Sequence, residues 1–202
     1  MSDERTTPEG FKSGFIALVG RPNFGKSTLM NAFMQQKIAI VTPRPQTTRT
    51  RQLGIITEKH YQMIFIDTPG IMKQPRHKLD EYMLDSAVKT LTDADVVLWL
   101  ADGGEAPGHE DKAIAERLQA IGNQSSIILG INKVDTLSAS EVLPRTEAYI
   151  SLLPGAAWIA FSALQQNGLP ELLLMLVDAL PEGPLYYPPE QITDAFLRDI
   201  AA

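Results

Sequence analysis

Five short apolar runs punctuate the chain: Phe15–Gly20, Tyr61–Asp67, Val96–Asp102, Ile127–Asn132 and Trp158–Ser162. Runs of this length, bounded by turn residues, predict strands. Between them apolar residues recur at three- and four-residue spacing, which predicts helices near Lys26–Gln35, Lys78–Leu91, His109–Ile121, Ser140–Leu153 and Leu169–Leu180. Strands alternating with helices predict a mostly parallel sheet covered on both faces. Gln52–Glu58 is separated from His60–Ile66 by little more than Lys59, so it returns only as an antiparallel hairpin. The expected class is α/β, with six strands of which one, at an edge, is reversed. Trp99 and Trp158 are expected to pack against helices, and Leu172, Leu173, Leu174, Leu176 and Val177 to form a buried helix face.

The pattern also suggests boundaries. Residues 1–13 are polar and expected to fray, and residues 14–180 carry the strand and helix series. Residues 181–191 include Pro181, Pro184, Pro188 and Pro189 and read as a linker. Residues 192–202 resume a helix-like apolar pattern, the expected start of another domain.

The chemistry lies at the ends of the strands, where ligands bind in such sheets. Phe15–Val19 runs into Gly20-Arg21-Pro22-Asn23-Phe24-Gly25-Lys26-Ser27-Thr28. A strand, a Gly-x4-Gly-Lys-Ser turn and a helix surround a polyphosphate with backbone N–H groups and a helix N-terminus. This makes the expected domain a three-layer P-loop NTPase. Lys26 reaches the outer phosphates as a point charge, and the Ser27 hydroxyl suits the shell of Mg2+. Asp67-Thr68-Pro69-Gly70-Ile71 follows the strand ending at Ile66; Asp67 suits the same metal, and the Gly70 N–H senses the γ-phosphate.

Asn132-Lys133-Val134-Asp135 selects the base. Asp135 accepts hydrogen bonds from guanine N1–H and its 2-amino group, whereas adenine has neither donor and would leave the carboxylate unpaired. Asn132 is expected to brace the phosphate loop, and the Lys133 stem to cover the base plane. Ser162-Ala163-Leu164, one βα unit later, would add a backbone N–H toward guanine O6. In Thr42-Pro43-Arg44-Pro45-Gln46-Thr47-Thr48-Arg49, Thr48 is the choice for completing the Mg2+ shell when a γ-phosphate is present, which makes the loop a switch.

Composition narrows the picture further. The chain has 202 residues and no cysteine, so disulfides and thiolate metal sites are excluded and a reducing cytosol fits best. No apolar stretch approaches the ~20 residues that cross a bilayer. Net charge is −6, against strong nucleic-acid binding by the whole chain. Between Glu9 and Glu58, however, Lys12, Arg21, Lys26, Lys37, Arg44, Arg49 and Arg51 are unopposed by any acid, consistent with a positive field around a polyphosphate. His60, His77 and His109 are too scattered for a metal site, and Asp93 with Asp95 is an ordinary acidic pair before a strand.

Gly20–Ser27, Gln46–Arg49, Asp67–Gly70, Asn132–Asp135 and Ser162-Ala163 together resemble the five signature segments of the translation-factor-related P-loop GTPases, in spacing similar to the Era-like family. Ile192-Thr193-Asp194 resembles the entry to that family's KH domain, which binds RNA. The resemblance implies GTP and GDP as ligands, Mg2+ as cofactor, and slow GTP hydrolysis. It implies a cytoplasmic role in small ribosomal subunit assembly with 16S rRNA as partner, peripheral association with the inner face of the cell membrane, and a monomer. Most rRNA affinity would lie in the KH part. Lys26, Thr48 and Gly70 would be catalytic, and Asn23 would hold K+ in the place of an arginine finger.

Two residues depart from the pattern. Ile71 stands where many small GTPases have the glutamine that orients the attacking water, which predicts slow turnover. Phe24 stands where the family carries a smaller residue; its ring is expected to turn toward the sheet and first helix, with overpacking costing ~1–3 kcal/mol. Other readings are a tRNA-modification or tandem-domain ribosome GTPase, a small-molecule P-loop kinase preferring ATP, and a nucleotide-gated binding module with negligible hydrolysis.

Overall fold

The structure, a computed structural model, describes residues 8–35, 39–40, 51–68, 89–121 and 126–188. The strands are β1 (Lys12–Val19), β2 (Ala39–Ile40), β3 (Arg51–Thr57), β4 (Tyr61–Asp67), β5 (Val96–Asp102), β6 (Ser126–Asn132) and β7 (Ala157–Ala160). The helices are α1 (Lys26–Gln35), α2 (His109–Ile121), α3 (Ala139–Ile150) and α4 (Leu169–Ala179). One sheet contains all seven strands in the order β2-β3-β4-β1-β5-β6-β7. β4, β1, β5, β6 and β7 run parallel, and β3 is the reversed strand, paired antiparallel with β4. The six expected strands are therefore present, but the reversed one is not outermost, because the two-residue β2 pairs along its free side. Most of the expected helix Lys78–Leu91 lies outside the described residues.

β1 and β5 are central, and residues 96–102 are buried throughout, as a parallel strand covered on both faces requires. Side chains alternate between the two layers. Ile16, Leu18, Leu98 and Leu100 pack with Leu29 and Phe33 of α1 and with Leu169, Leu172 and Leu176 of α4. Ala17, Val19, Val97, Trp99 and Ala101 pack on the other face with Ile114 and Leu118 of α2 and Tyr149 of α3. Leu169, Leu172 and Leu176 follow the i, i+3, i+7 stripe, whereas Leu174 projects away and is 63% exposed, so only part of that leucine-rich run is buried. Trp99 is fully buried and meets Tyr149 edge-on, with centroids 6.3 Å apart. Trp158 departs from expectation: it lies on the edge strand β7 and is 46% exposed.

Both ends of the described core extend beyond the expected boundaries. β1 begins at Lys12, preceded by buried Phe11. Residues 181–188, expected as a linker, lie against β1 and β4. The Ser13 N–H donates to the Pro181 carbonyl and the Gly183 N–H to the Phe11 carbonyl, both at 3.0 Å. The Ser13 hydroxyl donates to the Pro184 carbonyl at 2.7 Å. The fully buried Gln62 amide donates to the Tyr187 carbonyl and accepts from the Tyr187 N–H, at 2.8 and 3.0 Å. Tyr186 packs on Phe15, with centroids 5.2 Å apart.

Gln62→Ala would leave both backbone groups of Tyr187 without these partners, so it is expected to lower stability by about 2 kcal/mol. Thermal unfolding of the two chains side by side checks this; coincident midpoints would show that the clamp carries no weight.

Candidate nucleotide site

The parallel strands deliver their carboxyl ends to one rim. Leu18 of β1 is in register with Asp67 of β4, and Asp102 of β5 with Asn132 of β6. Four chemically distinct ends thus meet there without long loops. The phosphate loop leaves β1 at Gly20, where a Cβ would stand 2.6 Å from the Leu100 carbonyl oxygen, so only glycine lets the loop pass this close to β5. Gly25 has φ +94°, and a Cβ on it would collide with the Asn132 side-chain nitrogen. Asn23 adopts φ +67°, in the left-handed region that asparagine tolerates better than most residues. These three backbone states shape a cradle whose N–H groups lead into α1.

Asn132, 2% exposed, connects that cradle to the rest of the rim. Its amide nitrogen donates to the Phe24 carbonyl at 3.1 Å, and its oxygen accepts the Ala163 N–H at 2.9 Å. One side chain therefore bridges the phosphate loop and the Ser162-Ala163 segment. Ser162 and Ala163 are buried while Leu164 is exposed; the Ser162 hydroxyl accepts from the Gln165 N–H at 3.0 Å and steadies the turn. Lys133 follows with φ +64°, and this reversal starts the 3-10 turn Val134–Thr136. The turn presents Asp135 exposed at the rim. The Lys133 ammonium is fixed to the Asp102 carboxylate at 2.5 Å, which holds its stem in place beside Asp135.

Lys26 donates to the Gly20 carbonyl at 2.6 Å and so spans the loop. Burial pushes its ammonium below the usual lysine range, and Asp67 opposes that shift by stabilising the charge. The Asp67 carboxylate is therefore close enough to act on the loop's cation, and Ser27 is exposed at the start of α1. A hydroxyl and a carboxylate next to a phosphate cradle form the hard oxygen donor set that Mg2+ takes. Thr68 is turned inward, its hydroxyl donating to the Leu18 carbonyl at 2.8 Å. It fixes the end of β4 and leaves Asp67 to face the loop. Thr48, Pro69, Gly70 and Ile71 lie outside the described residues.

Arg21, expected among the phosphate-binding residues, directs its charge at acids of the protein. Its guanidinium meets Glu110 at 2.7 Å, Asp111 at 3.2 Å and Glu105 at 3.6 Å. Burial disfavours the cation, but Asp111 with the two glutamates outweighs it and holds the guanidinium pKa above its ordinary value. Asp111 is fully buried, and the same oxygen accepts the Gly108 N–H at 2.8 Å. The Phe24 ring also departs from expectation. It is buried yet belongs to none of the apolar clusters among the described residues, lying instead beneath Arg21. Overpacking of the first helix is thereby avoided. Sequence separation concealed the ion pair, since Arg21 and Asp111 are 90 residues apart. Only the acidic first turn of α2 offered a hint of a cationic partner.

A family profile described as "50S ribosome-binding GTPase" matches residues 15–133. The chain belongs to this GTPase family. Within it, the chain is 46% identical over 192 residues to GTPase Era of Clostridium perfringens, covering 95% of this chain and 64% of that one. It thus spans under two thirds of the length of that relative. A crystal structure of an Era variant from Aquifex aeolicus bound to GDP.AlF4- superposes with TM-score 0.73 at 36% identity, over 95% of this chain and 65% of that one. Era in complex with MgGDPNP and a fragment of 16S ribosomal RNA gives TM-score 0.72 at 35% identity, over 91% of this chain and 62% of that one. The family match runs from Phe15 to Lys133 and so includes the phosphate loop, Asp67 and Asn132.

Behind Arg21, burial and then the negative charges of Asp111 and Asp102 push the Tyr149 hydroxyl pKa above its ordinary range. The folded state holds that proton more tightly than the unfolded chain, whose tyrosine titrates near pH ~10. The contribution is complete below that pH and declines by about 1.4 kcal/mol per pH unit above it. Tyr149→Phe is therefore expected to unfold at higher pH than the parent in an alkaline titration followed by circular dichroism. An unchanged midpoint would contradict the assignment.

Proposed function

We propose that this chain binds GTP and GDP with Mg2+ and hydrolyses GTP slowly, as the switch domain of an Era-like factor in small-subunit assembly. The observation that carries the reading is the Asn132 bridge, which makes the phosphate cradle and the base-reading segment one rigid unit. Lys26 then stabilises charge on the outer phosphates while Asp135 selects guanine. Ser27 and Asp67 would hold Mg2+ together with Thr48; the ion would neutralise phosphate charge. Gly70 would contribute an N–H to the γ-phosphate. Positioning of the attacking water falls to groups other than Ile71, whose side chain forms no hydrogen bond, and turnover is slow for that reason.

Contact with 16S rRNA is proposed by similarity to the Era complex with an rRNA fragment. Peripheral membrane association and a monomeric state are proposed on the family resemblance, as is a KH-type domain entered at residues 192–202.

Asp135→Asn replaces an acceptor of two guanine hydrogen bonds with an amide that matches only one, and is expected to weaken GDP binding ~100-fold. Titration with fluorescent GDP, competed by GTP and by ATP, tests this. ATP competing as well as GTP would point to a P-loop kinase instead.

A second reading concerns the monovalent ion. Asn23 is exposed in the loop, in a left-handed backbone conformation. We propose it as a ligand of K+ acting in place of an arginine finger, as in similar GTPases with asparagine there. GTP turnover is expected to be faster in potassium than in sodium at equal ionic strength, and equal rates would remove the idea.

A further inference from the structure

Neither phosphate binding nor guanine reading calls for an aromatic ring in the phosphate loop, yet Phe24 places one there, 4% exposed. The Arg21 guanidinium carbon lies 4.7 Å from the ring centroid and the Lys133 ammonium 6.0 Å from it. A ring face is negative, so it attracts both cations where they would otherwise repel one another. Neither cation is free to drift. Arg21 is held by Glu110 and Asp111, Lys133 by Asp102, and all three acids lie within residues 102–111.

We propose that the Phe24 ring, between Arg21 and Lys133, is a clasp that sets the rate of guanine nucleotide release. Arg21 and Phe24 belong to the segment that cradles phosphates, and Lys133 to the segment that reads the base. A nucleotide leaves only when both segments loosen. The Phe24 carbonyl already accepts the Asn132 amide, so the two segments are tied by the backbone of the same residue whose side chain ties them again. Exchanging the ring for an aliphatic group preserves the backbone tie and removes the attraction for the cations. Phe24 is on this account a positioning residue, acting on the ligand through Lys133 and the loop. The inference rests on the guanine-nucleotide reading given above.

Release of fluorescent mant-GDP, chased with unlabelled GDP, tests the clasp on the 202-residue chain. Phe24→Leu is expected to release about fivefold faster than the parent, and Phe24→Trp, which keeps a ring face, within about twofold of it. Arg21→Gln is expected to accelerate release as well. The Phe24→Leu/Arg21→Gln double variant should then be no faster than the faster single one, because on this account Arg21 acts on release through the ring. The rate constant reports only on loaded, folded molecules, so a variant that folds poorly loses amplitude and not rate. A Phe24→Leu rate equal to the parent's, or single effects that multiply in the double variant, overturns the clasp and leaves the nucleotide reading intact. A parent chain that takes up mant-GDP no better than mant-ADP overturns that reading and the clasp with it.

Discussion

The site depends on one buried amide. Asn132 sits at the end of β6, where neither of its polar ends has access to water. A buried amide without partners costs more than most single packing defects, so its donor and acceptor must both be matched. The donor finds the Phe24 carbonyl and the acceptor the Ala163 N–H. Two segments 139 residues apart are thereby located by a group that tolerates little displacement of either. Gly25 follows from the same constraint, since any Cβ there would occupy the space of the Asn132 nitrogen. The phosphate loop is therefore shaped as much by what it must clear as by what it binds.

Around that amide, charge is sorted by role. Arg21 and Lys133 are each neutralised by acids of residues 102–111, which removes two cations from the field that a polyphosphate would feel. Lys26 is treated differently. It bonds to a neutral carbonyl and faces Asp67, while burial pushes its pKa down. Its charge is only partly compensated inside the protein and is best satisfied by an anion in the cradle. A basic stretch of sequence thus resolves, among its described side chains, into one cation without an acid bonded to it and others that hold the scaffold. Lys12 is of the second kind, donating to the Asp178 carbonyl at 2.9 Å.

Much of this was legible from sequence because it is local. Strand ends, the glycines of the loop, the Lys26-Ser27 pair and the Asn132–Asp135 segment are short motifs whose chemistry follows from residue type and spacing. Contacts between distant segments were not legible. The Arg21–Asp111 pair, the approach of Lys133 to the Phe24 ring, and the Lys133–Asp102 pair join residues whose proximity is set by the order β1-β5-β6, which no local pattern encodes. The exposure of Trp158 has the same origin: an aromatic in an apolar run reads as core until the sheet order makes its strand an edge. The short β2 was missed because two residues carry no periodicity.

The Pro-rich segment shows most directly how composition misleads when partners are ignored. Proline removes backbone donors, so residues 181–188 resemble a chain unable to form a ladder. The donors instead come largely from the other side. β1 extends past the start of β5, leaving the Ser13 N–H without a strand partner there, and Pro181 needs only its carbonyl to accept it. Ser13 supplies a second donor through its hydroxyl, and Gln62 matches both polar groups of the Tyr187 backbone with a single side chain. Gly183 is required because a Cβ there would stand 2.5 Å from the Ser13 hydroxyl. A segment poor in donors is thus ordered by a surface rich in them, and Gln62, in the same strand as Asp67, makes β4 the element that supports both the strap and the rim of the site.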